Sequence, residues 1–133
     1  MIVYAWGCRY EYVRRGDSRT AERHTMTRAS VKQEVQRMVN RIVKEFQPER
    51  IILFGSHARG EGGPDSDVDL LIVMKVEGSR RDKAIEIGVA LHDVRIPKDI
   101  LVTTPEDFEW RKEIAGTIER PAAMAGKTLY AKE

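Results

Sequence analysis

A single cysteine, Cys8, stands among the 133 residues. No disulfide can therefore close within the chain, nothing argues for an oxidising compartment, and a cysteine-rich zinc site is excluded. Long apolar runs are missing too. The opening stretch Met1–Trp6 breaks at Gly7, short of a secretory core segment, and no later run approaches the roughly 18 residues of a membrane span. Charge of one sign is also scarce: 23 Lys and Arg against 21 Asp and Glu leave +2, despite a pI near 8.8, so composition makes no case for a nucleic-acid partner. No internal repeat or low-complexity tract appears. A soluble, cytoplasmic protein without a membrane partner is the expectation.

What is present is one domain's worth of chain, with 41% hydrophobic and 33% charged residues, enough Val, Ile and Leu to build a core. Residues 7–30 carry Arg9, Arg14, Arg15, Arg19, Arg23 and Arg28 among Ser, Thr and Gly with no sustained apolar period. Residues 1–28 are therefore expected to be an extension, either with residues 3–6 and 10–13 pairing as short strands or as a ragged leader before Met26 from an upstream start codon, and residues 29–133 the folded domain. From Ser30, a plausible N-cap, Val31, Val35, Met38, Val39, Ile42, Val43 and Phe46 recur every three or four residues, the stripe of an amphipathic helix that Pro48 ends.

Residues 50–54 (Arg-Ile-Ile-Leu-Phe) form a β-branched run stopped by Gly55, and residues 67–74 (Asp-Val-Asp-Leu-Leu-Ile-Val-Met) a second. Between them lies a polar, glycine-rich loop. A helix over 79–94, a strand over 99–102 and a helix opened by Thr104 as N-cap with Pro105 at its first position follow. A possible edge strand over 127–131 ends the chain. The result is a small α/β (α+β) mixture, a mixed central sheet with helices packed on it.

The chemistry concentrates around the loop. Alternation on a strand sends Asp67 and Asp69 to one face with Cα atoms roughly 6–7 Å apart. Two carboxylates beside a greasy strand are costly unless solvated or bound to a hard cation, and Mg²⁺ typically takes one or two carboxylates and completes its shell with water and phosphate oxygens. Asp99, opening the next strand, is the candidate third carboxylate, placed to complete a two-metal site or to accept a proton from an attacking hydroxyl. Gly55 lets a backbone approach phosphate closely, a short helix starting near Ser56 would aim free N–H groups and the Ser56 hydroxyl at the same anion, and Arg59 offers either a charged donor or a salt bridge that anchors the loop.

Bland readings stand beside these. His57 is expected to be an exposed, variable residue and Asp65 a turn residue. The Arg19 and His24 spacing mimics HEPN ribonucleases, but Met26 stands where they carry tyrosine, and the match is read as chance. Phe108 and Trp110 cannot share one helix face, so one should pack inside and the other face outward.

The full pattern, Gly55-Ser56-His57-Ala58-Arg59-Gly60, then Ser66-Asp67-Val68-Asp69-Leu70-Leu71, with ten residues between Ser56 and Asp67, resembles the signature of the minimal nucleotidyltransferases of the DNA polymerase β superfamily. The likeness extends over residues 30–131, including Asp99 and Thr104–Trp110. It implies a polymerase β-like nucleotidyltransferase fold and transfer of a nucleoside monophosphate, AMP from ATP, to a hydroxyl. Gly55 and Ser56 would hold the triphosphate, to which the loop reading adds Arg59 as candidate donor; Asp67, Asp69 and Asp99 would hold Mg²⁺, and Asp99 would also face the nucleophile. It further implies a HEPN-family toxin as partner, with the chain acting as a type VII antitoxin that adenylylates a toxin tyrosine, alone or in a homo- or hetero-oligomer. Two rival readings are a non-catalytic antitoxin that caps its toxin sterically and a transferase for a small molecule or an RNA end.

Overall fold

The computed structural model describes residues 2–3, 28–63 and 66–132. The arginine-rich stretch 7–27, the second candidate strand at 10–13, the Arg19 and His24 pair, and Asp65 lie outside them. Nine elements follow in order: β1 (Ile2–Val3), α1 (Arg28–Phe46), β2 (Arg50–Phe54), β3 (Val68–Val73), α2 (Arg80–Ala90), β4 (Lys98–Thr103), α3 (Pro105–Arg111), α4 (Glu119–Ala125) and β5 (Lys127–Ala131).

The apolar stripe of α1 buries Val31, Val35, Met38, Val39 and Ile42, each 5% exposed or less. Its start differs from expectation: the helix begins at Arg28, so Ser30 lies inside the first turn and is not the N-cap. Its end is built by Gln47, whose φ of 50° is left-handed and whose N–H donates to the Val43 carbonyl at 3.1 Å. Pro48 then prevents continuation.

The five strands form one mixed sheet in the order β1-β5-β2-β3-β4. β2 pairs antiparallel with β3 and with β5, whereas β3 and β4 run parallel. β5 is thus not the edge: Ile2 and Val3 pair with Ala131 and Tyr130 and cover it. That pairing joins the two ends of the sequence, and nothing local to residues 127–131 announces it.

β2 and β3 are central, and helices cover both sheet faces, which is why their sequences read as continuous apolar runs. On one face Ile51, Leu53, Val68, Leu70 and Ile72 pack with α1 and α2. On the other, Ile52, Leu71 and Val73 pack with Phe108 of α3 and Ala122 of α4. Thr104 caps α3 as expected, its hydroxyl accepting from the Asp107 N–H at 3.1 Å. Helix α2 is shorter than its apolar residues suggested, running from the Ser79 cap only to Ala90. Ile87 is buried in it, while Ile85 and Val89 stand 56% and 65% exposed.

Candidate active site

β2 runs into Gly55 just where β3 begins. Phe54 pairs with Asp69, so the first loop residue sits beside that carboxylate. Gly55 has a φ of +77°, and a Cβ built on it would collide with Asp69 Oδ2 and come within 3.2 Å of Cγ. Only glycine satisfies both the left-handed turn and the close approach.

The loop that follows is a stack of hydrogen-bonded turns, not the short helix anticipated at Ser56. The Gly55 carbonyl accepts from the N–H groups of Ala58 and Arg59, and the Ser56 carbonyl from those of Glu61 and Gly62, at 2.9–3.2 Å. These turns consume amides from residue 58 onward. The N–H groups of Gly55, Ser56 and His57 take no part in them, which leaves the helix-start chemistry of an anion cradle without a helix.

His57 corrects the expectation of an exposed residue. It is 8% exposed, and its Nε2 lies 3.0 Å from the Ser66 carbonyl oxygen, a bond that closes the loop across nine positions. A Cβ at Gly62 would meet the imidazole Cγ at 2.6 Å, so the ring lies directly on that glycine. The Gly63 N–H donates to Ser66 Oγ at 3.1 Å and tightens the same closure. Neither partner of His57 is nearby in sequence, which is why sequence reading missed its role.

Arg59 is half-exposed and donates through Nε to Glu61 at 2.9 Å. That is the loop-anchoring alternative of the two weighed for it, although an exposed pair of this kind is worth at most about 1 kcal/mol and yields readily to a stronger anion.

Two of the three acids, Asp69 and Asp99, lie side by side at the sheet end. Asp69 and Asp99 are direct register partners across β3 and β4, on strands that lie about 4.8 Å apart. Asp67 stands exposed just before β3. By strand alternation Asp69 shares the face of Leu71 and Val73, and Asp99 that of Leu101, so the carboxylates lie on the α3 and α4 side. Burial raises the Asp69 carboxyl above the usual carboxylate range, the Asp99 and Asp67 charges raise it further, and His57 and Arg59 oppose the rise. Among the described residues no ion pair engages any of the three.

A desolvated carboxylate between two like charges and lacking a bonded cation suits a hard divalent ion. As the side chains stand, no three His, Cys, Asp or Glu among the described residues are gathered tightly enough to hold one. The donor set is that of one or two carboxylates with phosphate oxygens completing the shell, the usual demand of Mg²⁺.

A βαβ-containing mixed sheet whose β2–β3 connection presents a glycine-lined turn to strand-borne carboxylates suits a small domain that handles phosphate groups and a hard cation. Comparison with known proteins narrows this. The model of the family described as "Nucleotidyltransferase domain" matches residues 35–123, more than half of the sequence, and the chain belongs to that family: it is a nucleotidyltransferase. A Methanocaldococcus jannaschii protein named "Putative protein adenylyltransferase" is 36% identical over a segment covering 47% of this chain and 72% of that protein. The crystal structure of a "putative nucleotidyltransferase from Sulfolobus solfataricus" superposes with a TM-score of 0.55 at 20% identity, over 75% of this chain and 79% of that one, and shows the same fold. No described helix is long and apolar enough to cross a membrane.

Proposed function

We propose that the protein is an adenylyltransferase that moves AMP from ATP to a hydroxyl of a partner protein, a tyrosine of a HEPN-family toxin, and so acts as an antitoxin. The observation that carries the reading is the register pairing of Asp69 with Asp99 beside the Gly55 turn, with Asp67 near enough to raise the same carboxyl. The name of the M. jannaschii relative supports a protein acceptor, and the motif resemblance supports the toxin.

In this reading the Gly55 and Ser56 amides, the Ser56 hydroxyl and Arg59 hold the triphosphate. Asp67, Asp69 and Asp99 hold Mg²⁺, which when bound neutralises phosphate charge and polarises the phosphorus under attack. The acceptor oxygen forms a bond to the α-phosphorus as the bond to pyrophosphate breaks. Asp99, exposed on the sheet edge, takes the hydroxyl proton.

The test is incubation of the purified chain with α-labelled ATP, Mg²⁺ and the co-expressed HEPN protein. Label should appear on that partner, and the Asp67→Asn, Asp69→Asn double variant should transfer none while still unfolding cooperatively at a melting temperature no lower than the parent's. Undiminished transfer by the double variant would overturn the site.

A further inference from the structure

The residues placed to grip a nucleotide and those placed to grip its metal belong to two separate turn units. The first runs from Gly55 to Gly62. Its carbonyls at Gly55 and Ser56 accept from Ala58, Arg59, Glu61 and Gly62, so the amides at its start are held by bonds within the unit. The second joins Gly63 to Ser66: the Gly63 N–H donates to Ser66 Oγ and the Ser66 N–H to the Gly63 carbonyl, both at 3.1 Å. It leads directly into Asp67 and β3. The chain crosses from one unit to the other at Gly62-Gly63, a pair with no side chain to stiffen the crossing.

His57 bridges the two. It stands in the first unit beside Ser56, and its Nε2 lies 3.0 Å from the carbonyl oxygen of Ser66, one residue before Asp67. A carbonyl only accepts, so Nε2 carries the hydrogen and donates. Gly62 admits the ring: a Cβ there would lie 2.5–2.7 Å from Nδ1, Cγ and Cε1. Gly62 is not among the glycines of positive φ, so it is the imidazole above it, and not the turn, that calls for glycine at this position. At 8% exposure the bond is largely shielded from competing water.

We infer that His57 is a positioning residue of the nucleotide site: its imidazole locks the Gly62-Gly63 crossing, so that the amides at Ser56 and His57 and the carboxylates from Asp67 onward stand at a fixed separation before MgATP arrives. The inference rests on the transferase reading above and adds a residue to its machinery. A nucleotide without metal engages the first unit alone, which its own turns already hold. A nucleotide with Mg²⁺ engages both units at once, because its phosphate oxygens complete the shell of an ion held by the carboxylates. Locking the crossing in advance removes the ordering cost of that double grip. His57 therefore strengthens the enhancement of nucleotide binding by Mg²⁺ and leaves metal-free binding as it is. A ring that merely filled the space over Gly62 would do neither.

The test measures the dissociation constant of a fluorescent ATP analogue for the full chain, in Mg²⁺ and in EDTA, with no acceptor present. The parent should bind more tightly in Mg²⁺. His57→Ala should lose about tenfold of that enhancement with the EDTA value unchanged. His57→Gln, which keeps an N–H donor for the Ser66 carbonyl, should recover most of it, whereas His57→Phe, which fills the seat of the ring without a donor, should not. Gly62→Ala should reproduce the loss with His57 in place, and should add nothing in the His57→Ala background, where the ring it displaces is gone. With an acceptor present the loss should fall on KM for MgATP, with kcat within about twofold of the parent. The Gln and Phe pair and Gly62→Ala decide the matter should His57→Ala fail to fold. Full enhancement in His57→Phe, equal losses in Mg²⁺ and EDTA, or independent effects of the substitutions at 57 and 62 would each overturn the lock while leaving the transferase reading in place. A parent whose nucleotide binding gains nothing from Mg²⁺ would overturn both.

Discussion

Asp69 and Asp99 stand opposite one another on parallel neighbouring strands, and the charge of the second helps hold the carboxyl of the first above its ordinary range. Two like charges kept in register by a backbone ladder cannot move apart without unpairing the sheet. The fold therefore bears a standing electrostatic cost at one end of β3 and β4, which a bound cation would offset.

That cost has a measurable sign. A carboxyl whose folded pKa lies above its unfolded value of about 3.9 binds more protons in the native state, so its contribution to stability falls as pH rises from that value through the raised one. At neutral pH Asp69→Asn should thus stabilise the protein without divalent cation, seen as a small rise in melting temperature. Mg²⁺ should raise the melting temperature of the parent and not of the variant. A lower melting temperature for Asp69→Asn would mean the repulsion is not felt.

Gly55→Ala should destabilise where Asp69→Asn stabilises, and should lose the ligand response as that variant does. The added methyl faces the Asp69 carboxylate in a left-handed turn, and relief requires moving either the turn or the acid. Urea unfolding should show a loss of about 1–3 kcal/mol, and nucleotide-dependent thermal shifts should vanish because the cradle and the carboxylates no longer face each other. A variant as stable as the parent would show that the loop relaxes freely.

Much of this site was legible because its signals are local. The run Arg50–Phe54 matches β2 residue for residue, Gly55 marks its end, and Thr104-Pro105 opens α3 as its capping chemistry requires. What escaped depends on distant partners. Helix α4 starts at Glu119 after an Ile118 N-cap that offers no side-chain bond; the Thr117 hydroxyl accepts from the Arg120 N–H at 3.3 Å one residue earlier, and the seven residues show no apolar period. His57 reads as a polar loop residue until Gly62 and Ser66 fold over it. Glu119, 1% exposed, has no sequence signal that distinguishes it from a surface acid.

Acid should expose another tie. Asp93, beyond the end of α2, is bonded to both terminal nitrogens of Arg41 on α1, and Arg41 also donates to the Ala90 carbonyl at 3.1 Å. The bond with Arg41 holds the Asp93 carboxyl down at about 2. Its stabilising effect is present above about 3.9 and is lost as pH falls through 2, opposite in direction to Asp69. Urea midpoints at pH 7 and pH 2.5 should therefore differ less for Asp93→Asn than for the parent. Equal differences would show the pair contributes nothing to the docking of α1 on α2.

Glu119 is the sharpest stability test, because its carboxylate joins three elements from a position 1% exposed. Oε2 accepts from the Thr103 hydroxyl of β4 at 2.8 Å and lies 3.2 Å from Arg111 Nε and 4.0 Å from Arg80. Oε1 is buried without a partner, and the Arg111 Nε–H, though within ion-pair distance, is not aligned to donate. A charge buried on such incomplete terms gains less than a fully bonded pair, yet removing it strands Thr103 and leaves the two guanidinium groups facing an empty site. Glu119→Gln keeps the acceptor for Thr103 and should cost about 1 kcal/mol. Glu119→Ala should cost about 2–3 kcal/mol, since it abandons the hydroxyl, the cations and the packing of α4 together. Because Thr103 ends the strand on which Asp99 begins, the alanine variant should also loosen β4, seen as faster amide exchange along Lys98–Thr103 with β2 unchanged. Equal losses for the two substitutions would place the value of Glu119 in its charge alone, and uniform exchange would separate this buried acid from the candidate site.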